Sequence, residues 1–208
     1  KTLDVDYQQI TADLSNTTAA INKINEVFSR IELNKLTSIT LINNAGSLGE
    51  INSLGNLDNS NIERVIQLNT TTPLVLSNEF IRLSKNLNCK KQIITISSGA
   101  ANNPYAGWSV YCTSKAAIEM MTKTIATEQN EFTNGVKAFA IKPGVVDTNM
   151  QTQIRSTSES EFKNVQRFKD LKENNELYTP EFVADKIYQI DVSNVLNNGA
   201  IIDIRNFQ

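Results

Sequence analysis

Gln92-Ile93-Ile94-Thr95-Ile96-Ser97-Ser98-Gly99 reads as a buried strand that stops abruptly: an apolar, β-branched run closed by two hydroxyls and a glycine. Downstream, Val110 to Thr133 carries the helical period, and Val136 to Lys142 is a second apolar run. That alternation belongs to a parallel sheet covered by helices on both faces, so the fold class is α/β. Working outward, further strands are expected near Tyr7 to Ala12, Ser38 to Asn43 and Ala200 to Ile204. Helices are expected over much of Thr17 to Arg30, Asn59 to Asn86 and Pro180 to Asp191. The polar stretch from Thr148 to Tyr178 lies between a strand and the last helix, where such folds place a substrate-covering lid.

The 208 residues, 40% of them apolar, suit one domain over residues 1–208 with a single core. A net charge of -2, from 20 basic and 22 acidic side chains spread along the chain, argues against nucleic acid as a partner. No apolar run is long enough to cross a bilayer and no leader pattern opens the sequence, so a soluble cytoplasmic protein without a membrane partner is expected. Cys89 and Cys112 lack metal-ligand spacing and read as reduced, structural thiols. The chain contains no histidine, which removes Ser-His-Asp and Cys-His hydrolysis and His-ligated zinc, and no metal site is expected. Acid-base chemistry then falls to Tyr, Lys, Asp or Glu.

Tyr111 and Lys115 lie one helical turn apart and share a face. A free phenol titrates near ~10, too high for easy proton exchange at neutral pH, and a neighbouring ammonium would lower it. Ser98, at the carboxyl end of its strand, lies on the edge where open α/β sheets bind ligands, and its hydroxyl can bond a substrate carbonyl. Asn43-Asn44-Ala45-Gly46 ends another strand with small residues and neutral amides that allow close approach to a ligand. Pro143-Gly144-Val145-Val146-Asp147-Thr148 opens at the same edge after a third.

Taken in order, Asp13-Leu14, Asn43 to Gly46, Asn69, Ser98, Tyr111, Lys115, Pro143-Gly144 and Thr148 resemble the short-chain dehydrogenase/reductase family over nearly the whole chain. Within it, the runs Ser97 to Ala101, Gly107-Trp108, Tyr111-Cys112 and Pro143 to Gln151 look like the sepiapterin reductase and bacterial benzil reductase branches, the second more closely. The resemblance implies a Rossmann-like, doubly wound parallel sheet in three layers, and NADP(H) as cofactor. It also implies roles: Tyr111 protonates the carbonyl oxygen, Lys115 lowers its pKa and holds the nicotinamide ribose, Ser98 orients the carbonyl and Asn69 supports a water relay. Asp13 and Leu14 would meet adenine, Asn43, Ala45 and Gly46 would run beneath ribose and diphosphate, and Pro143, Gly144, Val146 and Thr148 would border the nicotinamide. Tyr105, Trp108, Val145 and Met150 are candidates for an apolar substrate wall, and Asp203 for a pterin-anchoring acid. A homodimer through the helices around Asn59 to Asn86 and Val110 to Thr133 is implied as well.

The chain departs from the family at its start. A dinucleotide-binding fold opens with a strand, a glycine-rich turn and a helix whose N-terminus receives the pyrophosphate. No such turn precedes Tyr7, and Gly46, Gly49 and Gly55 follow a later strand with the wrong spacing. The first βαβ portion, roughly forty to fifty residues, is expected to lie upstream of this sequence. Three functions are therefore carried forward: a carbonyl reductase acting on a ketone or benzil-like diketone, a pterin reductase, and a reductase-like scaffold that binds a partner without cofactor.

Overall fold

The computed structural model describes residues 6–207. Four strands among these residues form one parallel sheet in the order β1-β2-β3-β4. They are β1 (Ser38–Asn43), β2 (Lys90–Ile96), β3 (Lys137–Lys142) and β4 (Ile201–Asp203). The register sets Asn43 beside Thr95, Ile96 beside Ile141 and Lys142 beside Asp203. All four strands thus end along one edge, and that alignment gathers the site.

Helices α1 (Thr17–Arg30), α2 (Asn59–Ile66), α3 (Thr72–Ser84) and α4 (Ser109–Gln129) precede β3; α5 (Asn149–Ser156), α6 (Val165–Glu173) and α7 (Pro180–Ser193) follow it. Alternation along the strands sorts the core. Ile93 and Ala138 pack with Phe28, Phe80 and Ile125 of α1, α3 and α4 on one face. Ile94, Ile96, Phe139 and Ile141 pack with Val183 and Ile190 of α7 on the other. Each fully buried Ile or Phe adds about 1.5–3 kcal/mol relative to its exposed state, so the two clusters hold the three layers together.

One expectation needs correction. Tyr7 to Ala12 is not a strand: among the described residues no strand pairs with it, and an extended segment without a ladder has nothing to fix it as sheet. Among the described residues β1 pairs only with β2, and its Ile42 is 49% exposed. The stretch Asn59 to Asn86 is helical over most of its length, as expected, in two α-helical parts. A π-helical turn, Gln67–Thr71, separates α2 from α3, and Pro73 sits in the first turn of α3. Proline brings no N–H, so the ladder is one donor short beside Asn69, and the widened turn accommodates the mismatch. The stretch expected as a lid holds α5 and α6, packed as a pair over the strand ends.

Candidate active site

Helix α4 supplies two of the groups. Tyr111 and Lys115 are both buried, and the Lys115 Nζ lies 5.7 Å from the centre of the Tyr111 ring. The ammonium donates to the Ile96 carbonyl at 2.7 Å, anchoring the lysine to the last residue of β2. Burial pushes the Tyr111 phenol above its ordinary value, while the neighbouring Ser98 hydroxyl acts the other way. Lys115 is lowered to about 8, again by burial. Spacing alone suggested a lysine that pulls the phenol down; in the folded chain both groups are desolvated, and at Tyr111 the desolvation prevails.

Ser97 and Ser98, adjacent in sequence, make different contacts at the strand end. Ser98 faces the cleft and caps the short turn Gly99–Ala101, accepting from the Ala100 N–H at 3.1 Å. The Ser97 hydroxyl donates to the buried carboxylate of Glu119 at 2.9 Å. The Glu119 carboxylate also accepts from Asn102 and pairs with Lys142, each at 3.2 Å. One acid on α4 therefore ties together the ends of β2 and β3. Sequence reading missed Glu119, because nothing local marks an acid on a helix as buried.

Asn69, on the π-helical turn, is 2% exposed. Its amide brackets Ser47, accepting from the Ser47 N–H and donating to the Ser47 carbonyl at 2.8 Å each. A further bond at 3.1 Å reaches Ser114 Oγ, which in turn donates to the Tyr111 carbonyl. Asn69 thus fastens the loop after β1 to α4. At Gly46, in that loop, a side-chain carbon would stand 3.4 Å from Asn69 Oδ1 and 3.6 Å from Lys115 Nζ, so glycine keeps the groove beside the ammonium clear.

A cleft of about 950 Å³ runs across the strand ends. Gly46, Ser98, Tyr111, Lys115, Pro143, Gly144, Val146 and Thr148 all line it, as do the expected substrate residues Tyr105, Trp108, Val145, Met150 and Asp203. Leu14, Asn43 and Ala45 border a smaller adjoining cavity of about 110 Å³. Asp13 borders neither cavity: its carboxylate is exposed and accepts from Ser15 N and Oγ in a turn before α1. Asp203 faces the cleft already engaged, since Arg205 donates to it from Nε at 2.8 Å and from a second guanidinium nitrogen. That arginine holds the carboxyl below its ordinary range.

The aromatic wall is deeper than sequence suggested. Trp108 stacks on Phe162 at 4.5 Å and meets Tyr105, Tyr111 and Phe168 at 4.9, 5.7 and 5.5 Å. Phe162 and Phe168 come from the stretch that reads as polar lid, and both are buried. Among the described residues no cluster of three or more His, Cys, Asp or Glu could hold a metal ion, and no helix is long and apolar enough to cross a membrane. Both cysteines are free.

The residues fit a nicotinamide dinucleotide. Lys115 is a buried cation that spends one donor on Ile96, leaving donors for the hydroxyls of a ribose. Beside it the groove floor at Gly46 is open, and the cleft continues to Val146 and Thr148.

The sequence model of the short chain dehydrogenase family matches residues 2–159. A benzil reductase of the (S)-benzoin-forming type from Bacillus subtilis is 38% identical over 207 residues, covering 98% of this chain and 85% of the relative. A sepiapterin reductase from Meriones unguiculatus is 32% identical over 172 residues, covering 81% of this chain and 63% of the relative. Among solved structures, a short-chain dehydrogenase/reductase of Saccharomyces cerevisiae superposes with a TM-score of 0.80 at 25% identity, covering 95% of this chain and 76% of that one.

Proposed function

From the premise that the chain belongs to the short-chain dehydrogenase family of NAD(P)H-dependent oxidoreductases, we propose that it is an NADPH-dependent reductase of aryl ketones or benzil-like diketones. The observation that carries this reading is the meeting of Ser98, Tyr111 and Lys115 at one cleft walled by aromatic rings. When bound, the cofactor supplies hydride to the carbonyl carbon. Lys115, Gly46, Val146 and Thr148 would hold it, with NADPH favoured over NADH on the likeness to benzil and sepiapterin reductases.

The chain's own groups handle the oxygen. Ser98 donates a hydrogen bond to the carbonyl and fixes its direction. Tyr111 gives its phenolic proton to the same oxygen as charge develops there, so that ketone becomes secondary alcohol. A raised phenol pKa keeps that proton in place at neutral pH, which suits an acid acting in the direction of reduction. Lys115 stabilises the phenolate left behind and, through its ribose contact, aligns donor and acceptor. Asn69 holds the Ser47 loop against α4, and we assign it the support of a water relay behind Lys115.

A pterin substrate is supported less well, because the carboxylate that would anchor it, Asp203, is held bidentately by Arg205. A cofactor-free scaffold has no need of a buried, partly unpartnered lysine beside an open glycine. Residues 148–178 we take as a lid on the cleft. The α2–α3 and α4 helices, on which Leu74 and Met120 are exposed, we take as a homodimer face.

The test is NADPH oxidation with benzil by protein expressed from its full coding sequence. Tyr111→Phe is expected to lower kcat by about 10²–10⁴-fold, the usual worth of a positioned general acid. Wild-type turnover in that variant contradicts the mechanism.

A further inference from the structure

The cleft wall carries four cationic side chains besides its aromatic rings, and three of them are engaged. Lys115 is bound to the Ile96 carbonyl at the reacting end, Lys142 to Glu119, and Arg205 to Asp203. Arg167, on α6, makes no ion pair among the described residues. It is held in place all the same: one guanidinium nitrogen donates to the Tyr105 hydroxyl at 3.1 Å, and its central carbon lies 5.4 Å from the Phe168 ring centre. A fork of five donors, one of them used, stands at the cleft rim on an otherwise aromatic surface.

Its position relative to the chemistry follows from the rings. Trp108 meets Tyr111 at 5.7 Å and Phe168, the neighbour of Arg167, at 5.5 Å, and all four residues line the same cleft. An aryl ketone with its carbonyl at Tyr111 can therefore extend within this cleft toward Arg167. We propose that Arg167 is a specificity-determining residue, and that the favoured substrates are aryl ketones or diketones bearing a carboxylate on the ring edge distal to the carbonyl. This rests on the reductase reading of the same cleft and narrows it. A carboxylate there would accept two parallel bonds from the guanidinium, the strongest form of that contact. A neutral ketone would fill the aromatic wall and leave the cation without a partner.

The experiment compares benzil with 4-carboxybenzil, using NADPH, in wild type, Arg167→Lys and Arg167→Gln. Wild type is expected to favour the acid by roughly tenfold in kcat/KM, mostly through KM, with the preference shrinking as salt is added. Arg167→Gln should bring the ratio of the two substrates to about one, and Arg167→Lys should keep part of it because charge survives without the fork. Equal kcat/KM for the two substrates in wild type overturns the proposal, as does a ratio that Arg167→Gln leaves unchanged. Should neither substrate be turned over, the reductase reading fails, yet the inference stays testable. Trp108 is the sole tryptophan, and its fluorescence reports binding directly. Tighter binding of 4-carboxybenzil that Arg167→Gln abolishes supports the site, and equal binding of the two compounds overturns it.

Discussion

A lysine buried without a counter-ion weakens the fold it serves. Lys115 falls from 10.5 in the unfolded chain to about 8 in the folded one, so the native state resists protonation. Below pH 8 that penalty is fully present; it is relieved as pH rises and is gone above 10.5. Lys115→Met is therefore expected to raise stability at pH 7 by about 1–3 kcal/mol while removing reductase activity. The gain should shrink between pH 8 and 10.5 in urea titrations. A variant less stable than wild type at pH 7 would contradict the burial penalty. An anion or hydroxyl brought by the cofactor is the natural remedy, so binding and folding both draw on the same ammonium.

Elements are joined at this site mainly by polar groups that the chemistry does not touch. Glu119, two turns along α4 from Tyr111, receives Ser97 from the end of β2, Asn102 from the turn beyond it, and Lys142 from the end of β3. Removing the acid leaves the buried Ser97 hydroxyl without its acceptor and takes the counter-ion from the partly buried Lys142, which keeps the Asn102 amide oxygen. Glu119→Ala is expected to cost about 1–3 kcal/mol in chemical denaturation. Glu119→Gln, which keeps an acceptor for Ser97, should cost less. Equal stability of wild type and Glu119→Ala would show that water replaces the carboxylate. The π-helical turn does comparable work at the other side of the cleft, placing Asn69 where its amide can bracket Ser47.

Across the whole molecule, the sheet and its two clusters form a scaffold to which the segment carrying α5 and α6 is fastened by aromatic stacking. Phe162 is fully buried and lies nearly parallel to Trp108, with 8° between the rings. Phe162→Ala deletes that contact, at a cost of about 3–5 kcal/mol. The loss should be local: hydrogen exchange is expected to quicken in α5 and α6 while β2 and β3 keep their protection, and KM for benzil should rise. Uniformly faster exchange would mean that this segment and the sheet unfold as one unit.

The sequence by itself determined what depends on neighbours along the chain. The apolar run at Gln92 announced β2, the periodic stretch Thr17 to Arg30 matched α1, and the one-turn spacing of Tyr111 and Lys115 put both on one helix face. Strand ends alone located the edge where the cleft opens. Pairing across the chain escaped it: Tyr7 to Ala12 has strand composition but no ladder, and Ser97 and Ser98 look alike until Glu119 claims one of them. Only tertiary structure decided the direction of the Tyr111 shift, the engagement of Asp203 by Arg205, the arrival of Arg167 and Phe168 at the cleft, and the stacking of Phe162 behind Trp108. The reason is physical: periodicity and capping act over a few residues, whereas desolvation and ion pairing depend on which distant segments the packed core brings into contact.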